Sequence, residues 1–415
     1  MPPAEIASRP LSGIRVLEMG QLIAGPFAGC VLAYFGAEVI KVEPPGTGDP
    51  LRNWRVLKDG TSLWWRAMAR NKKCITLNLR APRGREIARA LALRSDVLIE
   101  NFRPGTMERW GLGPDDLRAE APELVYTRVS GYGQTGPFAA KPGFASVCEG
   151  FGGLRYINGV PGEPPVRPNL SLGDTLAALH AVIGVLLALV HRHRIDGGAI
   201  GGAGGSVGGG AGQVVDVAIY ESVYNVLEAM VPEYDGAGLV REPSGSTLTG
   251  IVPTNTYPCA DGRYVIIGGN GDSIFRRLMR AAGRDDLADD PRLADNAGRV
   301  AHQREVDDAI ARWTRPRDSA RVLDVLDGAG VPAGPIYSVA DMMEDPQYNA
   351  RGLFETVEVA GEALKIPALA PKLGDTPGAT RWPGPELGAH NREIYMGTLG
   401  LDEDELRSLA SAGVV

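Results

Sequence analysis

The chain has 415 residues, 44% of them hydrophobic and 22% charged, with a net charge of -7. The length favours two or more lobes, and the acidic balance excludes the basic footprint by which duplex nucleic acid is recognised. The opening "MPPAEIASRP" has no basic segment leading into an apolar one, and the apolar run Leu176 to Val190 is short for a bilayer span and carries His180, so a cytoplasmic protein with no membrane partner is expected.

In chain order, "GIRVLEMGQLIAGPFAGCVLAYFGAEVIKVEPPG" reads as strand, glycine turn, helix and strand, a βαβ unit. The alternation continues with "KCITLNL" as strand, "PRGREIARALALRS" as helix, "DVLIENF" as strand and "PELVYTRVSGYG" as a further strand and turn. Such alternation predicts an α/β fold with a doubly wound, mostly parallel sheet. A long apolar helix follows in "SLGDTLAALHAVIGVLLALVHRHR", with Asp174 at its start as N-cap, and then the glycine-rich loop 197–212. That loop lacks the side chains to hold a helix or a core. The stretch from "VVDVAIYESVYNVLEAMVPEY" is expected to be a long helix, and "TNTYPC", "ADGR" and "YVIIGG" a hairpin. The predicted organisation is a large Rossmann-like domain over 1–219, a linker over 220–250, a small α+β domain over 251–330, and a return to the large domain over 331–415.

Cys30, Cys74, Cys148 and Cys259 stand alone, so neither a zinc site nor a redox dithiol is expected, and no metal. The first helix opens on Gly20, Gly25 and Gly29, which lack the close spacing of a dinucleotide-binding turn. Hydrolase chemistry lacks a nucleophile elbow, and none of the five histidines is an obvious general base. Asp174 is left with two roles open: a cap for the helix amides, or a carboxylate nucleophile mounted where those amides favour an anion.

The motifs "LSGIRVLEMGQLIAGPFAG", "GAEVIKVEPPGTGDPLR", "DVLIENFRPGTMERWGLG", "SLGDTLAALHAVIGVLLAL" and "YVIIGGNGDSIF" occur in order over nearly the whole chain. In them the chain resembles the family III CoA-transferases, also called the formyl-CoA transferase or carnitine dehydratase/racemase family. The resemblance implies that Asp174 is the nucleophile, that Gly268, Gly269 and Gly271 belong to a mobile segment covering its intermediates, and that the large domain binds CoA. It places Ala24, Asn101, Phe102, Arg109 and Tyr132 on the CoA side, with Lys72 and Lys73 as partners for CoA phosphates. CoA thioesters and small carboxylic acids are the implied substrates, with no tightly bound cofactor. An interlocked homodimer is implied, or a heteromer with a related subunit.

Racemases of the same fold need a His shortly after "GYGQ", where this chain has Phe144, so α-methylacyl-CoA racemisation is the alternative reading and a non-catalytic CoA-binding role a third. Ile23 replaces the Gln that accompanies formyl or oxalyl substrates. The chain looks most like the enzymes that pair succinyl-CoA with malate, citramalate or itaconate, and Arg52, Arg70 and Arg128 are candidates for the second carboxylate of such an acceptor.

Overall fold

In the computed structural model, residues 9–195 and 210–415 are described, so the loop expected at 197–212 lies outside the described residues except for its last three. The chain forms two compact units, one of Met1–Leu154, Pro168–Glu228 and Ala350–Val415, the other of Arg155–Arg167 and Ala229–Asn349.

The first unit is built on six strands: β1 (Arg15–Glu18), β2 (Glu38–Glu43), β3 (Lys72–Thr76), β4 (Val97–Glu100), β5 (Val125–Ser130) and β6 (Val214–Ala218). All neighbours pair in parallel, in the order β3-β2-β1-β4-β5-β6. This is the doubly wound order, in which successive strands run outward from the centre in both directions. Register sets the two faces, because side chains alternate along a strand. Val16, Val39, Val97 and Val125 point to one face, under α1 (Ala24–Tyr34) and a long helix described below. Leu17, Ile40, Leu98 and Tyr126 point to the other, under α2 (Pro82–Ala92) and the tail residues Ile394, Tyr395, Leu406 and Leu409. Both faces are covered, so apolar residues occupy both sides of these strands.

Two further helices complete the frame of the site: α3 (Ala145–Phe151) and α4 (Leu172–Ile195). α4 begins two residues before Asp174, so the aspartate lies in the first helical turn and is not the cap residue. From Leu172 to His193, α4 is also long and apolar enough to cross a membrane by length and composition, more than the run from Leu176 suggested. One side of it is core: Ala177, Ala178, Ala181, Val185 and Ala188 are buried with α1 and the sheet. Leu179, Ile183, Leu187 and Val190 on the other side are exposed.

The long helix expected after the glycine-rich loop is instead β6 followed by α5 (Ile219–Tyr224) and a separate helix, Met230–Ala237. Val214, Val215 and Val217 suit a pleated strand, and β5 offers them an edge to pair with. Glu228, with φ at +53°, interrupts the helical stretch that follows.

In the second unit β7 (Thr254–Pro258) and β8 (Tyr264–Gly268) form the antiparallel hairpin read from the sequence, with Val265 opposite Tyr257. Strand β9 (Ala333–Pro335) adds to β8. Helix α6 (Asp272–Ala281) lays Phe275, Leu278 and Met279 against this small sheet.

Candidate active site

In a doubly wound sheet the loops leave in opposite directions where the strand order reverses, and a crevice opens at the carboxyl ends there. The reversal falls between β1 and β4. Gly20 to Ala24 follow β1, and Asn101 and Phe102 follow β4. Asn101 ties the two together: its Oδ1 accepts from Gln21 N at 2.8 Å and its Nδ2 donates to Gln21 O at 2.9 Å. A Cβ on Gly20 would stand 2.8 Å from Asn101 Oδ1, and one on Gly29 only 2.0 Å from Glu18 Oε2. Two of the glycines that fail the dinucleotide spacing thus make room for side chains of this chain.

Beneath the β1–α1 turn lies a buried ion network. Lys41 Nζ stands 3.0 Å from Glu18 and 2.9 Å from Asp49, and donates to Gly20 O at 2.8 Å. Burial alone would lower the Lys41 pKa, but Asp49 and Glu18 outweigh it and hold it above its ordinary value. Burial likewise opposes Asp49, and Lys41 wins, keeping that carboxylate below its usual range. Asp49 also accepts from Leu22 N at 3.1 Å. The turn carrying Ala24 is therefore held from below by charges with no access to water.

Lys72 belongs to this network. It is fully buried, 2.7 Å from Glu18, and donates to Pro26 O at 2.6 Å, so it has no surface to offer a CoA phosphate. Lys73, at the amino-terminal end of β3, pairs with Glu38 at 2.6 Å and Glu393 at 2.7 Å, away from the carboxyl-end crevice. A cation that does line the crevice is Arg80, which no sequence signal singled out. It borders an open cleft of about 630 Å³ with Gln21, Thr47, Asn78, Phe102 and Trp110. Phe102 also borders a second cleft of about 140 Å³, with Asn101, Ser130, Lys141 and Phe144. Ala24 opens α1 and is itself buried. Arg109 lies exposed on the helix Thr106–Arg109, its guanidinium donating to Thr106 Oγ1 at 2.9 Å.

None of the three arginines considered for an acceptor carboxylate is at liberty to serve one. Arg52 pairs with Glu43 at 2.7 Å, and Arg70 donates to Ala67 O and Pro367 O, each at 2.6 Å. Arg128 bridges Glu100 at 2.9 Å and Glu108 at 2.6 Å. Glu100 is almost wholly enclosed, and burial pushes its pKa up to about 7 against the pull of Arg128. Its other oxygen accepts from Phe102 N at 2.7 Å, so a titratable carboxyl holds the crevice edge.

Asp174, half-buried, occupies the first turn of α4. In that turn the helix amides still lack intrahelical acceptors and favour negative charge. Gly173 before it donates its N–H to Glu149 Oε1 at 3.1 Å. The Cys148 thiol is pushed up to about 11, first by burial and then by the negative charges of Asp174 and Glu149. Phe144, just ahead of α3, is 70% exposed and cannot move a proton. Tyr132 sits in an aromatic cluster with Phe138, Phe151 and Tyr220, ring centroids 5.4 Å from Phe151 and 5.9 Å from Phe138. Lys141 lies 3.6 Å from the Phe138 ring centre. Among the described residues no group of three or more His, Cys, Asp and Glu is arranged to hold a metal ion.

In the second unit, Gly268 ends β8, Gly269 donates to Pro253 O at 2.9 Å and Gly271 caps α6. The buried Arg299 fastens this segment, donating to Asn270 O at 2.7 Å and to Asp272 at 2.8 Å. A Cβ on Gly269 would meet Leu278 Cδ2 at 2.5 Å, whereas one on Gly268 would meet only Pro332 O at 3.9 Å.

Comparison with known proteins places these features in a lineage. A family model described as CoA-transferase family III matches residues 11–391. The chain is 48% identical over 410 residues to the succinyl-CoA–D-citramalate CoA-transferase of Chloroflexus aurantiacus, covering 98% of each chain. It is 39% identical over 411 residues to the beta subunit of the succinyl-CoA–L-malate CoA-transferase of the same organism, again covering 98% of each. Among solved structures, a CaiB/BaiF family protein from Brucella suis matches with a TM-score of 0.81 at 31% identity, covering 94% of this chain and 99% of that one.

Proposed function

Because the chain belongs to CoA-transferase family III, we propose that it moves CoA from succinyl-CoA to a C4 to C5 dicarboxylic acid such as citramalate, malate or itaconate, through Asp174. The observation that carries this reading is the carboxylate in the first turn of α4, in a chain alike over its full length to enzymes named for this chemistry. An oxygen of Asp174 attacks the thioester carbonyl, the C–S bond breaks, and CoA thiolate leaves behind an acyl-aspartyl anhydride. The thiolate then attacks the aspartyl carbonyl and expels succinate, giving an aspartyl-CoA thioester. The acceptor carboxylate attacks that carbonyl and again frees the thiolate. Attack of the thiolate on the acceptor's acyl carbonyl finally regenerates the Asp174 carboxylate.

One thioester replaces another, so no strong driving force is needed. The enzyme's contribution is positioning, stabilisation of developing oxyanions and exclusion of water from two hydrolysable intermediates. The two clefts that share Phe102, one bordered by Arg80 and the other by Lys141, supply apolar surface and cations suited to the nucleotide end of CoA. The exposed apolar side of α4 supports a second copy of the chain, or a related subunit, as its cover.

The test is exchange of labelled succinate into succinyl-CoA, followed by an acceptor screen. Asp174→Asn is expected to abolish exchange, and CoA is expected on the Asp174 peptide by mass spectrometry after quenching the wild type. Full exchange in the variant refutes the nucleophile.

A further inference from the structure

Glu149 has no part in the chemistry above, yet it is a carboxyl with 0% exposure one helix away from the nucleophile. Burying such a group is costly unless it is well partnered, so what it partners is informative. Its Oε1 accepts from Gly173 N at 3.1 Å, and its Cγ would lie 3.2 Å from a Cβ at Gly173. Ile219 Cγ2 of α5 closes the same spot at 3.2 Å and Ala145 O of α3 at 3.4 Å. The first intrahelical bond of α4 runs from Thr175 N to Ser171 O at 3.1 Å, so the Gly173 amide precedes the helix's own ladder. A side chain at Gly173 would have to push Glu149 or Ile219 back by a few tenths of an ångström, and the acceptor that satisfies the Gly173 amide reaches it from α3.

We propose that Glu149 is the positioning residue for Asp174: by accepting the Gly173 N–H it fixes the peptide immediately before the nucleophile, and with it the direction in which the carboxylate leaves the helix. The inference rests on Asp174 being the nucleophile. Reaction at a thioester carbon demands near-attack placement, and a misplacement of about 1 Å costs on the order of 10²-fold in rate. Carboxylate charge is not required for this role. An amide oxygen of the same reach serves as well.

The experiment compares Glu149→Gln, Glu149→Asp and Glu149→Leu in succinate exchange, with thermal unfolding to show each is folded. Gln keeps an acceptor at the same reach and is expected within about threefold of wild-type kcat. Asp, one methylene short, and Leu, with no acceptor, are expected to lose about 10- to 100-fold in kcat, with KM for succinyl-CoA changed less than twofold. If Leu does not fold, the contrast between Gln and Asp decides. Wild-type kcat in Asp, or a loss in Gln equal to that in Asp, overturns the proposal. Asp174→Asn run in parallel separates the two readings: an inactive Asp174→Asn beside fully active Glu149 variants removes only the role of Glu149, and an active Asp174→Asn removes the nucleophile itself.

Discussion

Lys72→Met distinguishes a buried structural cation from a ligand for CoA phosphate. Lys72 is fully enclosed, 2.7 Å from Glu18, and donates to Pro26 O at 2.6 Å. Removing its charge leaves Glu18 and Asp49 to share Lys41 alone, so one buried negative charge loses its counterion. Breaking a buried pair from one side costs about 3 to 5 kcal/mol. The larger unit holds about 280 residues, and at ~2.1 cal/mol/K of unfolding entropy per residue that loss lowers Tm by about 5 to 8 °C. Thermal unfolding by circular dichroism reads the shift, and initial rates on the folded enzyme read KM for succinyl-CoA. KM is expected to stay within about twofold of wild type, as for loss of a group that does not touch substrate. An unchanged Tm with a tenfold higher KM refutes the reasoning and returns Lys72 to the phosphate.

Gly269→Ala is expected to destabilise the second unit by about 1 to 3 kcal/mol through overpacking on Leu278 and Pro253, while Gly268→Ala, with open space at its Cβ, changes little; equal melting curves for the two contradict this. Glu100 is raised from 4.5 to about 7, so the folded state holds its proton more tightly, and a contribution of about 3 kcal/mol present below pH 4.5 is lost as pH rises through 7. Glu100→Gln is expected to remove that part of the decline, and parallel wild-type and variant stability curves from pH 5 to 8 rule it out. Leu187, 64% exposed on α4, is the residue to change for assembly: Leu187→Asp is expected to weaken pairing of copies in light scattering, and a wild type that is already monomeric disproves the pairing.

Local pattern carried much of this protein. Alternating strand and helix periods specified the parallel sheet, because side-chain alternation and apolar runs are properties of consecutive residues. "SLGDTLAALHAVIGVLLAL" also marked Asp174 as a carboxylate at a helix start, although the cap position was off by the first turn. The valines of β6 also suit a helical run in sequence, and such a short apolar run becomes a strand only when an edge such as β5 is there to pair with it. What no local pattern contains is the pairing of charges across the fold. Lys72 and Lys73 are neighbours in sequence, but the strand turns the first into the ion network with Glu18 and the second toward Glu38. Arg128 looks like a free cation until Glu100 and Glu108 arrive from other elements. Availability to a ligand depends on burial and on partners distant in the chain, so only the tertiary structure decided which cations border the crevice and which hold it up.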